Sequence, residues 1–352
     1  MHNIYKKLEG ITKQMKILHI DTGLSFRGGQ RQAKILHLGL LKSGVKSFFL
    51  ANKNGTLIKK LPNSIPFDYK NELSINTHKE FVKVLQTIKP DIVQTHDGHA
   101  VALGSFHKKL GYKLVETRRV SYSISFISRV VKYSKVDLHI AVSEEIKQYL
   151  AKYFKKVVKI SSCIEFDRFK IEKLDIFKDI DKYHILFVGA FTKQKGIDIL
   201  IKAFKNIDDY NLKLHMVGDG ELLNEMKSLA RDDKRIVFYG RRDDVEQFYL
   251  NSSLVIVPSV DGEGSSGVIK EAIVAGKIVI ASDLNANQEL ITDGLNGIIF
   301  KKESQKDLQE KIESIISKKI SIDYNEIKRV AGNYSCNYLI KKYLDEYQRI
   351  LV

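Results

Sequence analysis

Cysteine is nearly absent from this 352-residue chain, which holds two, Cys163 and Cys336. A pair so widely separated in sequence gives neither a disulfide framework nor zinc-ligand spacing, and Cys163, after a strand-like run, reads as a packing residue. Long apolar runs are lacking as well. No stretch approaches the roughly 20 residues that span a bilayer, and no secretory leader opens the sequence, so a cytoplasmic location is expected. Also missing are a zinc finger, an RNP-type aromatic strand motif and a basic helix with heptads, which removes the main support for a nucleic-acid partner. No cluster of metal-ligand residues and no Asp-x-Asp followed by histidine marks a metal site.

What is present is the composition of a globular protein, 43% hydrophobic and 28% charged, with enough length for two domains. The net charge of +16 rests on lysine, which supplies 46 of the 58 basic residues. Its distribution is uneven. Residues 105–160 carry 13 Lys or Arg against 4 Asp or Glu, a bias that suits either peripheral docking on an anionic inner-membrane surface or a solvated lysine-rich face. Within that stretch the amphipathic run 125–134 could rest on a membrane or pack on the sheet, and packing is the favoured reading.

Residues 1–14 are polar and lysine-rich and read as an extension, with Met15 an alternative start. Short β-rich runs then alternate with helical ones from residue 16 to 161, and again from 184 to 281. Such alternation predicts doubly wound parallel sheets, here in two Rossmann-like domains, 15–170 and 183–332. A charged stretch without β pattern at 165–182 interrupts the rhythm and holds the linker, 171–182, and 333–352 reads as a final aromatic-rich helix. Ligands of open α/β sheets sit beyond the carboxyl ends of the strands, so the loops there are the candidate sites.

Four such loops carry chemistry on their face. Gly28 and Gly29 precede a helix, where a side-chain-free backbone lets an anion approach. Arg118 and Arg119 close a strand and offer a bidentate clamp for phosphate or carboxylate, which makes them candidates for acceptor recognition. Residues 253–276 read as strand, Gly/Ser turn and helix. The N–H groups of Ser266, Gly267 and Val268 at that helix start suit a diphosphate, while Glu271, two turns in, suits ribose or sugar hydroxyls. Glu263 and Glu271 stand eight positions apart around this turn.

The Glu-x7-Glu spacing, the preceding Val257-Pro258-Ser259 and the segments 276–282 and 287–297 resemble the family 4 retaining glycosyltransferases, and the resemblance runs over most of the chain. It implies a GT-B fold: two Rossmann-like domains facing across a cleft, with the last helix crossing back to the first. It also implies a metal-independent hexosyl- or related transferase that uses no cofactor. The donor would be a nucleoside diphosphate sugar and the acceptor a glycan or glycolipid of bacterial surface polysaccharide or lipopolysaccharide.

By position, the resemblance places Gly28, Gly29 and Arg31 over the donor diphosphate and acceptor. His96 stands where the family's second histidine meets the transferring sugar, with Gln94 in place of the first. Gly189-Ala190 through Lys195-Gly196 matches the family's Gly-Arg-x-x-x-x-Lys-Gly turn. Ala190 replaces the arginine, leaving Lys195 to neutralise the leaving diphosphate. Gly240 and Arg241 resemble the base-binding edge, Glu271 falls to the ribose and Glu263 to the donor sugar. A nucleotide-sugar epimerase on the same fold and a non-catalytic, transferase-like binding subunit are the alternatives. The first would transform the donor without an acceptor, and the second would survive loss of Lys195 or Glu271.

Overall fold

The computed structural model describes residues 15–177, 179, 181–261 and 264–352. The extension 1–14 and Glu263 lie outside the described residues. The chain forms two compact units, residues 15–163 with 336–352, and residues 164–335.

In the first unit the order is β1 (Lys16–Asp21), α1 (Gly28–Lys42), β2 (Lys46–Asn52), β3 (Ser64–Phe67), α2 (Ile75–Ile88), β4 (Ile92–Thr95) and α3 (Gly98–Phe106). It continues with β5 (Lys113–Arg118), α4 (Phe126–Val131), β6 (Leu138–Ala141), α5 (Glu144–Ala151) and β7 (Val157–Lys159). The strands make one seven-stranded sheet, β3-β2-β1-β4-β5-β6-β7, parallel at every pairing. Parallel strands are covered on both faces, which is why β4 and β6 are buried along their whole length. The strand order reverses between β1 and β4, so the loops after these two strands open into a crevice at the carboxyl edge.

The second unit runs β8 (Tyr183–Val188), α6 (Ile197–Lys205), β9 (Leu212–Val217), α7 (Leu223–Ala230), β10 (Ile236–Gly240), α8 (Val245–Asn251), β11 (Leu254–Val257) and α9 (Gly267–Val274). Then come β12 (Ile278–Ser282), α10 (Asn285–Gln288), β13 (Ile298–Phe300), α11 (Gln305–Ile316) and α12 (Tyr324–Ala331). Its six-stranded sheet, β10-β9-β8-β11-β12-β13, is also parallel and reverses between β8 and β11. Residues 171–182 lie within this unit, and Phe177 is buried in its core, stacked 3.7 Å from His215.

The last helix, α13 (Cys336–Leu351), belongs to the first unit. Ile340 fills the space a side chain on Gly39 of α1 would need, since a Cβ there would lie 1.8 Å from its Cδ1. Tyr347 donates to Gln94 Oε1 at 2.7 Å. Gln94 is thus a core residue tying β4 to α13.

Of the run 125–134 only Tyr133, beyond α4, packs into the core, beside Ala141 of β6; α4 itself does not pack on the sheet. No residue of α4 is buried, and Phe126 and Ile127 are each 72% exposed. Charged and aromatic neighbours hold the helix instead: Arg129 lies over the rings of Tyr153 and Phe126 at 4.0 and 5.8 Å.

Candidate functional site

In the first unit the crevice between β1 and β4 is clamped shut at its base by Asp97. This N-cap of α3 accepts from the Ala100 N–H at 2.8 Å and reaches across to the Thr22 N–H at 2.7 Å. His96, immediately after β4, is buried and stacks on His19 of β1 with ring planes 8° apart. The two rings hydrogen-bond, His19 Nδ1 to His96 Nε2, at 2.9 Å.

Both Arg119 Nη1 and Nη2 approach His96 Nδ1 at 3.4 Å. A guanidinium only donates, so His96 Nδ1 must carry a lone pair, and its Nε2–H donates to His19 Nδ1. Burial, then the Arg119 charge, holds the His96 imidazole well below its ordinary pKa, and burial does the same for His19. His96 is therefore a neutral imidazole whose Nδ1, facing Arg119, accepts. A neutral imidazole of this kind can accept a hydrogen bond but holds no extra proton to donate.

Gly29, in the first turn of α1, lies against the same group, since a Cβ there would stand 3.8 Å from Arg119 Cδ. A Cβ on Gly28 would meet nothing within 4 Å. The structure thus gathers Gly28, Gly29, His96 and Arg119 at one carboxyl edge. Arg31 is half-buried on α1, one turn further in.

Arg118 is not part of this group. Its guanidinium donates to the Tyr122 carbonyl oxygen and lies over the Tyr149 ring at 6.0 Å. Arg118 is the last residue of β5 and Arg119 lies beyond it, and the two guanidinium groups meet different partners, so they do not form a joint clamp.

In the second unit the loops after β8 and β11 are locked together. Gly196, at φ +58°, leaves no room for a side chain, because a Cβ would lie 2.2 Å from the Pro258 carbonyl oxygen. The Val260 N–H donates to the Gln194 carbonyl at 2.8 Å. Lys195 is held in this turn, half-buried. The β11 loop then leads into α9, where Ser266 Oγ accepts the Ile269 N–H at 3.4 Å. Helix geometry leaves the N–H groups of Gly267 and Val268 without an intrahelical acceptor. Lys270, fully buried, donates to Ser265 Oγ at 2.6 Å and so steadies the turn.

Glu271 is held from two sides. Its Oε1 lies 3.0 Å from Arg168 Nη1, and its Oε2 accepts from the Tyr249 hydroxyl at 3.1 Å. Arg168 also pairs with Glu246. Burial alone would lower the Arg168 pKa, and the Glu271 and Glu246 carboxylates more than offset it, so the guanidinium stays charged.

The ends of β8, β9 and β10 surround a cavity of about 600 Å³ lined by Gly189, Ala190, Gly218, Gly220, Arg241 and Arg242. Glycine is required at Gly218, with φ +142° and a Cβ position 1.8 Å from the Gly189 carbonyl oxygen. Gly240 turns the chain at φ +65° into Arg241. The structure therefore gathers Ala190 and Arg241 around this cavity. Arg168 and Lys270 escape a sequence reading, the first in a charged stretch, the second inside an apolar helix.

Two parallel-sheet Rossmann-like units with glycine-lined carboxyl edges define the GT-B class of glycosyltransferases. Two family models match the chain in tandem: Glycosyltransferase Family 4 over residues 26–168 and Glycosyl transferases group 1 over residues 169–333. It is similar to the uncharacterized glycosyltransferase MJ1178 of Methanocaldococcus jannaschii, 37% identical over 42% of each chain. That match spans less than half of the archaeal relative. Over 96% of this chain and 98% of the other, it is 24% identical to the capsular polysaccharide biosynthesis glycosyltransferase CapM of Staphylococcus aureus. The structure of HepE from Anabaena in complex with UDP shares the fold, with a TM-score of 0.82 at 18% identity over 95% of this chain and all of that one.

Proposed function

We propose that the protein transfers a sugar, with retention of configuration, from a nucleoside diphosphate sugar to a glycan or glycolipid acceptor in bacterial surface-polysaccharide synthesis. The observation that carries this reading is the locked pair of loops at the β8/β11 switch point. One loop presents Lys195, and the other ends in the α9 helix start. As the acceptor hydroxyl attacks the anomeric carbon and the bond to phosphate breaks, negative charge gathers on the diphosphate. The Lys195 ammonium and the N–H groups of Gly267 and Val268 would receive it, and stabilisation of that kind is usually the largest catalytic contribution.

Glu271 receives the ribose hydroxyls, and Gly240 and Arg241 border the base. HepE binds UDP, which makes a uridine nucleotide the first candidate. As Arg119 turns from His96 Nδ1 to an anionic part of the acceptor, that nitrogen accepts a hydrogen bond from a hydroxyl of the donor sugar. Lys195 and the helix start supply the charge neutralisation themselves, so turnover is expected to survive a chelator.

The exposed face of α4 favours peripheral contact with an anionic membrane. Phe126, Val130, Tyr153 and Phe154 line a cavity of about 680 Å³ together with Arg129, Lys155 and Lys156. Among the described residues no helix is long and apolar enough to cross a membrane, so such contact would lie at the surface.

A thermal-shift panel of UDP-, GDP- and ADP-sugars tests the donor reading, because a ligand of the native state raises the unfolding midpoint as its concentration passes the dissociation constant. A UDP-sugar is expected to stabilise the protein; no shift with any of the three overturns the reading. Epimerised sugar nucleotide formed from donor alone would establish an epimerase instead.

A further inference from the structure

The two cysteines, separated by 173 positions in sequence, have their sulfur atoms 2.9 Å apart. Each sits at a passage of the chain between the two units: the first unit ends at Cys163 and resumes at Cys336. The residues just beyond them are joined as well. Ile164 and Ser335 form a parallel bridge, and the Ile164 N–H donates to the Tyr334 carbonyl at 2.8 Å.

The placement of Cys163 is over-determined. The Gln32 side chain brackets its backbone, with Oε1 accepting the Cys163 N–H at 3.0 Å and Nε2 donating to the Cys163 carbonyl at 2.8 Å. Cys336 is fixed as the first residue of α13, whose Leu339, Ile340, Tyr343 and Tyr347 are buried in the core that also holds Cys163. Two thiols held in contact by rigid neighbours need little rearrangement to join, which is what disulfide geometry demands. Cys163 is buried and Cys336 partly exposed, so an oxidant reaches Cys336 first.

We propose that Cys163 and Cys336 are a reversible thiol-oxidation site that closes into a disulfide. A hydroperoxide is the oxidant. Its terminal oxygen passes to the Cys336 sulfur, giving a sulfenic acid and releasing an alcohol, or water from hydrogen peroxide. The Cys163 sulfur then attacks that of Cys336, the S–O bond breaks, and the hydroxyl leaves as water with the Cys163 proton. Two thiols are oxidised, one peroxide is reduced, and a dithiol reverses the step by exchange. The bond closes residues 164–335, the whole second unit, into one covalent loop pinned to the first at both passages. In a reducing compartment such a bond is transient, as redox-responsive disulfides are.

The test treats the full-length protein with hydrogen peroxide, then alkylates it under denaturing conditions. The expected product has lost two hydrogens in intact mass, takes up no alkylating agent and yields a cross-linked peptide joining Cys163 to Cys336. Dithiothreitol returns both thiols. Cys163→Ser is expected to collect oxygen adducts on Cys336 in place of the cross-link. The oxidised wild type should melt at a higher temperature than the reduced form, with the difference removed by dithiothreitol and absent in Cys163→Ser and Cys336→Ser. Two thiols that remain open to alkylation, or a wild type that gains only oxygen adducts, would overturn the proposal.

Discussion

Arg168 and Glu271 form an ion pair at 3.0 Å that fixes the direction of the Glu271 carboxylate. The pair joins a short helical turn, Phe166–Phe169, to α9. Tyr249 holds the other Glu271 oxygen, so the remaining lone pairs of that carboxylate point along defined directions.

Removing Arg168 should therefore weaken a nucleotide that Glu271 holds, even though Arg168 acts only through its partners. A hydrogen bond to a charged group contributes about 1.5–3 kcal/mol, so Arg168→Met is expected to weaken donor binding roughly 10- to 100-fold. Arg168→Lys keeps the charge without the fork and should recover part of the loss. Titration calorimetry with a UDP-sugar measures both. Unchanged binding in Arg168→Met beside lost binding in Glu271→Gln would show that Glu271 needs no orienting partner.

The buried imidazoles set a pH dependence of stability. Burial keeps His96 and His19 neutral in the folded state and pushes His215 down to about 3. Above the ordinary value of 6.5 folded and unfolded chains are both neutral at these sites. Below it the unfolded imidazoles bind protons that the folded ones cannot, so stability falls as pH falls, by up to about 1.4 kcal/mol per pH unit for each group. Urea unfolding between pH 7.5 and 5 should show this decline, and His96→Asn should flatten it. An equal slope in the variant would mean that His96 takes up its proton while folded.

Much of the fold was legible because buried parallel strands are continuous apolar runs, as in Leu254-Val255-Ile256-Val257, and the candidate loops follow them directly. The failures have physical causes. Arg118 and Arg119 are adjacent in sequence but not one clamp, because β5 ends between them and their side chains meet different neighbours. Arg168 was hidden because a charge run reads as solvated linker until its carboxylate partners, 78 and 103 positions away, are seen. The contact between Cys163 and Cys336 depends on α13 returning to the first unit, which spacing alone does not show. The periodicity of 125–134 gave α4 an apolar face but not what covers it.

Ala190 offers a test by gain. It is exposed beside the 600 Å³ cavity, in the position where the family turn has arginine. Ala190→Arg adds a cation near the diphosphate without displacing a buried neighbour, so donor affinity is expected to rise about three- to tenfold, more at low salt. Lys195→Ala should lower turnover about 100- to 1000-fold, as removal of an oxyanion stabiliser does. Steady-state kinetics with the stabilising sugar nucleotide decides both. If Ala190→Arg restores turnover to Lys195→Ala, the two positions act on the same charge.

The α4 face makes the membrane reading separable from folding. Phe126 and Ile127 are each 72% exposed, so replacing both with aspartate removes little buried surface and should change stability by less than about 0.5 kcal/mol per site. On an anionic bilayer the same side chains would leave water, each contributing up to about 1.5–3 kcal/mol, with about 1 kcal/mol from each nearby basic group. Co-sedimentation with phosphatidylglycerol vesicles is therefore expected to fall at least tenfold in the double variant, and wild-type binding should weaken on phosphatidylcholine alone or at high salt. Replacing Lys155 and Lys156 with glutamine should lower the salt dependence while leaving the apolar contribution. Wild-type binding by the double aspartate variant would move the contact to another face of the protein.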